Sequence, residues 1–337
     1  MSDNIQDDLS QLASLKNALL FNELTTFAQL GNYGLFVPKA AVFSSTFLKW
    51  RPHQIIDPRG FMLRRDTDKL MDEWKPSNDP SIKNSDCRVY LKIIFDALVK
   101  KKLSFGLLDV GGYLGIYSVL AGLLANNMKI KMPIKCYEPG PTDHLIEANL
   151  SINKIRDYEV RRFAISDVDG PLLYKYSAGK SIIGGIHRMK NEFARVVYST
   201  TLEKELTGSF KNLDCAIAKI DVEGFEPEAL MGMGNKAKKI PIIICEVQPW
   251  AREKMIGNRE YAKVLDQDYY IVEIGNSIWP HAYEGVKKGK LDEYLDKVKT
   301  RQPPVSDMIM LRKDFPLSKA LYKKLCAVDP MDRTGIE

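Results

Sequence analysis

The chain has 337 residues, of which 45% are hydrophobic and 27% charged, and its formal net charge is +6. This composition is that of an ordinary soluble protein with room for a full core, and the mild charge does not require nucleic acid as a partner. There is no apolar run of membrane-spanning length and no close cysteine pair, and the first residues carry acids where a secretory signal would have bases. We therefore expect a cytoplasmic protein that is not exported by that route and has no disulfide frame or zinc cluster.

The first 84 residues differ in pattern from the rest of the chain. Apolar residues recur at helical spacing between residues 5 and 30, and Gly31 ends that pattern. Residues 35–85 are rich in Pro, Trp and Arg and show no clean period. We therefore predict a mainly helical accessory region over residues 1–84, acting as a cap or a dimerisation element, and a second domain over residues 85–337. A homodimer is left open.

Strands and helices alternate after a short helix predicted over residues 90–98. The predicted strands are FGLLDV, IKCYE, EVRRFAIS, CAIAKID, IPIIICEV, YYIVEIG and SDMIMLRK. The predicted helices between them include YLGIYSVLAGLLA, TDHLIEANLSIN and PEALMGMG. Continuous apolar strands separated by helices indicate a parallel sheet covered on both faces. The stretch between EVRRFAIS and CAIAKID is interpreted as rich in loops.

Glycines in LLDVGGYLG, residues 107–115, mark a turn between the first strand and the next helix, where bare backbone can approach a ligand. A dinucleotide fingerprint would need a glycine where Val110 stands, and a phosphate loop would need a Gly-Lys-Ser/Thr triplet, which does not follow Gly115. Asp109 at the strand tip would repel a pyrophosphate but attract an ammonium. The turn therefore favours a ligand with an amino acid end, whose carboxylate sits near the helix N-terminus.

Glu138 ends the next strand, in CYEP. A carboxylate at that place can accept hydrogen bonds from both hydroxyls of a ribose. An amino acid end together with a nucleoside describes S-adenosylmethionine. The alternative is structural: Glu138 would cap the following helix, and Asp109 would hydrogen-bond the turn.

Five motifs resemble, in order and spacing, the FkbM-type S-adenosylmethionine-dependent methyltransferases over roughly residues 85–250. They are LLDVGGYLGIYS, CYEPGP, AISDVDG, TTLEKEL and IAKIDVEGFEPEAL. The chain departs from the family's D-V-G-A-N-x-G motif, because Gly112 and Tyr113 replace its Ala and Asn. The resemblance implies an α/β class I (Rossmann-like) fold with a seven-stranded, mostly parallel sheet, its last strand antiparallel and helices on both faces. It also implies methylation of a hydroxyl on a sugar, glycan or natural product.

The resemblance assigns roles in binding S-adenosylmethionine to six residues. The methionine end is assigned to Asp109, Gly111 and Gly115, the ribose to Glu138, and the surroundings of the adenine to Asp167. Gly112 is expected to contact the cofactor through its backbone. For Asp167 the alternative is an ordinary turn residue in SDVDG.

The segment KIDVEG carries the candidate catalytic residues. Lys219, Asp221 and Glu223 alternate with apolar residues, and this period of two predicts that they share one face at the end of a central strand. Open parallel sheets bind their ligands at that edge. We predict Asp221 or Glu223 as the general base, with Lys219 setting its charge. The alternative is an internal Lys–Asp ion pair with Glu223 capping the following helix.

Two further groups could contribute to the chemistry. His187, in GKSIIGGIHRMK, is an alternative base or else an ordinary surface residue of a loop. Asp221 with Glu246 and Gln248 could hold a divalent cation, but nothing in the spacing requires one, and we expect no metal.

Two alternatives to a small-molecule O-methyltransferase remain. One is an RNA ribose methyltransferase, which would need a second lysine where this chain reads EVQPW. The other is a non-catalytic scaffold subunit that binds the cofactor. We expect a small-molecule or glycan acceptor and no nucleic acid.

Overall fold

The structure, a computed structural model, describes residues 25–30, 33–38, 56–57, 60–61, 87–140, 143–177, 180–183, 193–247, 268–275, 284–286, 291–299 and 306–328. Its strands are β1 Thr25–Leu30, β2 Tyr33–Pro38, β3 Ile56–Asp57, β4 Gly60–Phe61, β5 Phe105–Val110, β6 Ile134–Tyr137, β7 Tyr158–Arg161, β8 Ala164–Ile165, β9 Gly170–Ser177, β10 Lys180–Ile183, β11 Phe193–Thr200, β12 Cys215–Ile220, β13 Ile242–Val247, β14 Tyr269–Gly275, β15 Glu284–Val286 and β16 Ser306–Arg312. Its helices are α1 Cys87–Lys100, α2 Ile116–Asn127, α3 Asp143–Ile152, α4 Leu202–Glu205, α5 Glu226–Met231, α6 Leu291–Lys299 and α7 Ser318–Cys326.

The central sheet has eight strands in the order β15-β14-β16-β13-β12-β5-β6-β7. Strands β13, β12, β5, β6 and β7 pair in parallel, and β16 runs antiparallel to both β13 and β14. This confirms the mostly parallel sheet and its antiparallel last strand. The eighth strand is β15, a short edge strand that pairs antiparallel with β14 and that the sequence did not indicate.

Both faces of the central sheet are buried. In β5 the side chain of Leu107 packs into a core shared with α1, α2, α3 and α7, whereas Leu108 packs into a second core on the opposite face. Because successive side chains of a strand point to opposite faces, a strand buried on both sides is mostly apolar, and β5 departs from this at Asp109 near its carboxyl end. Among the residues placed, no helix is long and apolar enough to cross a bilayer.

A second sheet contains four strands in the order β10-β9-β11-β8. The loop-rich interpretation of this stretch is therefore wrong for β9, β10 and β11. The predicted strand EVRRFAIS is also split: its first part is β7 of the central sheet, and Ala164–Ile165 pairs with β11 instead. Tyr174 and Val197 form the buried face of this small sheet.

The described parts of the N-terminal region are strands and not helices. The helical spacing predicted a helix through residue 30, but Thr25–Leu30 pairs antiparallel with Tyr33–Pro38, and Ile56–Asp57 pairs with Gly60–Phe61. β-branched and aromatic residues at the start of β1 favour an extended chain, and the two-residue connection Gly31-Asn32 suits a tight hairpin. The domain boundary at residue 85 stays a prediction.

Candidate functional site

The loop between β5 and α2 lies directly against the end of β12. Gly111 has a φ of 78°, and a Cβ built on it would lie 1.9 Å from the backbone oxygen of Asp221. A side chain would therefore force the two strand ends apart, and only glycine combines this conformation with so close an approach. The candidate cofactor loop and the candidate catalytic segment are held together at this point.

Glycine at position 112, where the resembling family has Ala, is explained by the neighbouring strand. A Cβ on Gly112 would lie 2.2 Å from Sγ of Cys136 in β6. Burial raises the pKa of the Cys136 thiol well above its usual value, and the charge of Asp109 raises it further. Cys136 is therefore an uncharged packing residue, and its sulfur occupies the space that an Ala side chain would need.

Tyr113 occupies the position of the family's Asn and has a φ of 49°. This left-handed conformation is one that Asn adopts readily and Tyr rarely. The backbone N–H of Tyr113 donates a 2.8 Å hydrogen bond to Oε2 of Glu138. Burial, and then the charge of Glu138, raise the pKa of the Tyr113 hydroxyl to about 12. The loop therefore keeps a left-handed residue here, and a phenol replaces the amide side chain.

Glu138 is 3% exposed at the end of β6. Besides Tyr113, the N–H of Gly140 donates to its Oε1 at 2.5 Å, and the hydroxyl of Tyr174 lies 3.5 Å from the same oxygen. Burial raises the pKa of Glu138, and the two backbone donors oppose that rise. Among the described residues, the backbone donors to Glu138 therefore come from the glycine loop and the turn after β6. Each oxygen of Glu138 keeps a further lone pair that could accept a hydrogen bond from a ribose hydroxyl. The ribose role stays a prediction.

Asp109 is 1% exposed and contacts the first turn of α2. Its Oδ2 accepts hydrogen bonds from the Ser118 hydroxyl at 2.6 Å and from the Ser118 N–H at 3.2 Å. This is the turn contact that the sequence left as the alternative. Its Oδ1, however, is buried and has no hydrogen-bond partner among the described residues.

These features fit S-adenosylmethionine. A buried carboxylate oxygen without a donor, such as Oδ1 of Asp109, is suited to an ammonium. The left-handed glycines Gly111 and Gly115 flank the loop that precedes α2. Asp167 lies exposed just after β8 and accepts a 2.9 Å hydrogen bond from the Ser166 hydroxyl. Its predicted place near the adenine stays a prediction.

Lys219 joins the two halves of the site. Its Nζ lies 3.0 Å from Oδ2 of Asp221 and 3.5 Å from the backbone oxygen of Gly111. The same Nζ lies 4.9 Å from the centroid of the Tyr117 ring. Burial opposes the charged form of Lys219, but Asp221 and other nearby carboxylates outweigh it and raise its pKa. The structure therefore contains the Lys–Asp ion pair that the sequence left as an alternative.

The predicted alternation holds for Lys219 and Asp221 but not for Glu223. Strand β12 ends at Ile220, and Glu223 lies in the following turn with a φ of 54°. The predicted capping role of Glu223 stays a prediction. The turn before α5 is held by Glu226, whose Oε1 accepts hydrogen bonds from the N–H groups of Val222 at 3.1 Å and Gly224 at 3.0 Å.

Glu226 is the site residue that the sequence interpretation missed. It is 0% exposed, and one of its carboxylate oxygens, one of Asp221 and one of Glu246 all lie within 4.8 Å of one another. Burial raises the pKa of Glu226 to about 7, although the surrounding backbone N–H groups oppose the rise. The sequence feature that could have indicated Glu226 is its position directly before a proline at the start of a predicted helix. Side chains at such positions often satisfy free backbone N–H groups.

His187 and Gln248 lie outside the described residues. The predicted roles of His187 as an alternative base and of Gln248 as a cation ligand therefore remain predictions.

A mostly parallel sheet, a glycine loop after its first strand and acidic residues at the ends of neighbouring strands together define a class I methyltransferase. Residues 129–270 match the model of the methyltransferase FkbM domain, which places this segment in the FkbM family. The cofactor of the family is S-adenosylmethionine. No curated protein matches the sequence.

Several solved structures are similar in fold at low sequence identity. Cofactor-bound Rv0187 from MTB is 10% identical, with a TM-score of 0.35, and the match covers 74% of this chain and 96% of that one. For the human methyltransferase 10 domain containing protein the identity is 10%, the TM-score 0.35 and the coverage 81% and 95%. The hMettl16 catalytic domain in complex with the MAT2A 3'UTR hairpin 6 is 10% identical, with a TM-score of 0.35, and the match covers 87% of this chain and 88% of that one. Similarities this loose do not bear on the acceptor.

Proposed function

We propose that the protein transfers the methyl group of S-adenosylmethionine to a hydroxyl of a sugar, glycan or natural product. The observation that carries this proposal is the position of Lys219, whose ammonium contacts both Gly111 of the cofactor loop and the carboxylate of Asp221. A charged pair at the ligand-binding edge of the sheet, beside the loop assigned to the methionine end, suits an acceptor with a proton to lose.

S-adenosylmethionine supplies a methyl group on a positively charged sulfur, which a nucleophilic oxygen can displace directly. The protein must then align the acceptor oxygen and favour loss of its proton. Asp221 is the residue that we assign to this task, because its carboxylate is half-buried and lies at the end of β12 next to the glycine loop. Its negative charge favours departure of the hydroxyl proton as the new bond to oxygen forms.

Lys219 is assigned a supporting role. It is nearly fully buried, and its ion pair holds the Asp221 carboxylate in one orientation. Holding a reacting group within a fraction of an ångström of its working position is a large part of what an enzyme site contributes. Glu223, half-buried in the adjacent turn, is the next candidate on the acceptor side.

The test is release of S-adenosylhomocysteine by the purified full chain, with acceptors offered in parallel: hydroxylated sugars, glycans, polyhydroxylated natural products and structured RNA. We expect turnover with a member of the first three groups. In this assay the control for Asp221→Asn is Asp214→Asn, which removes a carboxylate that bonds Ser104 at the opposite end of β12. Turnover with RNA alone would replace the acceptor assignment. Tight cofactor binding without turnover on any acceptor would favour the scaffold alternative.

A further inference from the structure

Three carboxylates from three different elements converge beside the cofactor loop. Asp221 follows β12, Glu226 begins α5 and Glu246 lies near the end of β13. We call these three residues the carboxylate cluster. One oxygen from each lies within 4.8 Å of the other two. Oxygens on opposite sides of a bound Mg²⁺ lie about 4.2 Å apart, and those around Ca²⁺ about 5 Å apart. The cluster therefore has the dimensions of a coordination sphere.

Glu226 provides an independent sign that the cluster is built for a ligand. Its Oε1 is occupied by the backbone N–H groups of Val222 and Gly224. Its Oε2 is buried and has no hydrogen-bond partner among the residues that the structure describes. A buried carboxylate oxygen without a donor is strongly unfavourable unless a proton or a cation satisfies it.

Lys219 does not donate a hydrogen bond to the free Oε2 of Glu226. Its Nζ bonds Asp221 at 3.0 Å and also faces the backbone oxygen of Gly111. Glu226 forms no ion pair in the described part of the chain. A cation bound between the three carboxylates would satisfy the free oxygen of Glu226 and offset the negative charge that accumulates there.

We propose that Asp221, Glu226 and Glu246 form a binding site for a hard divalent cation of the Mg²⁺ class. Three carboxylate oxygens without a nitrogen or sulfur ligand favour Mg²⁺, Mn²⁺ or Ca²⁺ over zinc or copper. The proposal differs from the expectation of no metal because Glu226, and not only Asp221 and Glu246, contributes a carboxylate to the cluster.

The consequence for catalysis rests on the proposed function. Three protein ligands leave coordination positions open, and an acceptor hydroxyl could occupy one of them next to the cofactor loop. A hydroxyl bound to a divalent cation loses its proton more readily than a free one. Asp221 would then act on the acceptor through the cation that it holds.

The test is a titration of the chelator-treated full chain with Mn²⁺, in which electron paramagnetic resonance measures the concentration of free Mn²⁺ at each step. We expect saturable, stoichiometric binding that Mg²⁺ displaces. Glu226→Gln keeps the shape and a neutral acceptor for the two backbone donors, and it should weaken Mn²⁺ binding by at least roughly 10- to 100-fold. The matched control is Glu228→Gln, a carboxylate of the same helix that is not in the cluster. It should bind Mn²⁺ as the wild type does.

Failure of the cation site can be distinguished from failure of the proposed function. Absence of Mn²⁺ binding at millimolar concentration, or equal binding by wild type, Glu226→Gln and Glu246→Gln, overturns the site. Glu246→Gln lies at a half-buried position and gives a second readout should Glu226→Gln not fold. Methyl transfer that persists in chelator, with no Mn²⁺ binding, overturns the site and leaves the function intact. Mn²⁺ binding without methyl transfer to any hydroxyl overturns the function and leaves the site intact.

Discussion

Oε2 of Glu138 accepts a 2.8 Å hydrogen bond from the backbone N–H of Tyr113, so the carboxylate assigned to the ribose also holds the glycine loop. The two candidate cofactor-binding elements are therefore coupled: movement of the loop would move the Glu138 carboxylate. Tyr174 lies 3.5 Å from the other oxygen and connects the small sheet to the same group. Glu138 has a structural contribution in addition to its predicted role in binding.

We predict that Glu138→Ala weakens binding of S-adenosylmethionine by about 1–3 kcal/mol, the scale expected when charge-assisted hydrogen bonds to two hydroxyls are lost. The fold should survive with a lower melting temperature, because the variant also releases the N–H groups of Tyr113 and Gly140. Calorimetry measures the first effect and thermal unfolding the second. Glu159→Ala, an exposed carboxylate of β7, is the control. Unchanged affinity with reduced stability would make Glu138 a loop anchor only.

The glycine loop should select S-adenosylmethionine over a nicotinamide dinucleotide. Val110 stands where a dinucleotide fingerprint needs glycine, and the carboxylate of Asp109 would repel a pyrophosphate. Parallel calorimetric titrations with the two ligands measure this selectivity. Tight dinucleotide binding with no heat from the methyl donor would refute the assignment.

The pair Gly112 and Cys136 should behave as one packing unit. Gly112→Ala places a Cβ 2.2 Å from Sγ of Cys136, and overpacking of this kind lowers stability by about 1–3 kcal/mol. Removing the sulfur by Cys136→Ala should relieve much of that loss, so the double variant should be more stable than the sum of the single effects predicts. Chemical denaturation of the four proteins in the cycle measures the coupling. Additive effects would show that the loop shifts to avoid the contact.

The central sheet could be predicted from the sequence because its strands are buried on both faces. Strands such as β5 and β12 are buried at every position and apolar at every position except Asp109 and Lys219, and few other structures need that pattern. The small sheet could not be predicted in this way. Its strands place apolar residues on both faces, with Leu172 partly buried beside exposed Leu173, and exposed Val196 beside buried Val197. Hydrophobic and polar residues therefore do not alternate along these strands. In addition, β9 pairs with β11, which lies further along the chain, and local sequence patterns do not indicate such a pairing.

The site was predictable where a residue's position in a strand decides its place. Lys219 and Asp221 lie at or just beyond the end of a buried strand, and the alternation brings them together. Glu226 could not be placed by alternation, because the chain turns back on itself after Ile220. Its contacts depend on the turn, in which Glu223 and Gly224 both have a positive φ. Such turn geometry is a tertiary property that the sequence pattern does not fix.

Glu226 should make stability depend on pH. Its pKa is raised from 4.5 to about 7 in the folded chain, so the folded state binds more protons than the unfolded state between these values. In cation-free buffer its contribution is complete below pH 4.5 and is lost as the pH rises to about 7, a change of about 3 kcal/mol at about 1.4 kcal/mol per pH unit. Urea unfolding of wild type and Glu226→Gln at pH 5 and pH 8 isolates the contribution. Parallel pH profiles for the two proteins would contradict it.

Asp221→Asn should separate chemistry from cofactor binding. The substitution keeps the shape and a hydrogen-bonding side chain but removes the charge that pairs with Lys219 at 3.0 Å. Because the carboxylate is assigned to the acceptor and not to the cofactor, affinity for S-adenosylmethionine should stay close to wild type. Turnover should fall by about 10²–10⁴, the usual contribution of a group that assists proton transfer. Calorimetry and release of S-adenosylhomocysteine measure the two quantities on one preparation. Persistent turnover with a lower melting temperature would make Asp221 a structural partner of Lys219, and Glu223 would then become the leading candidate.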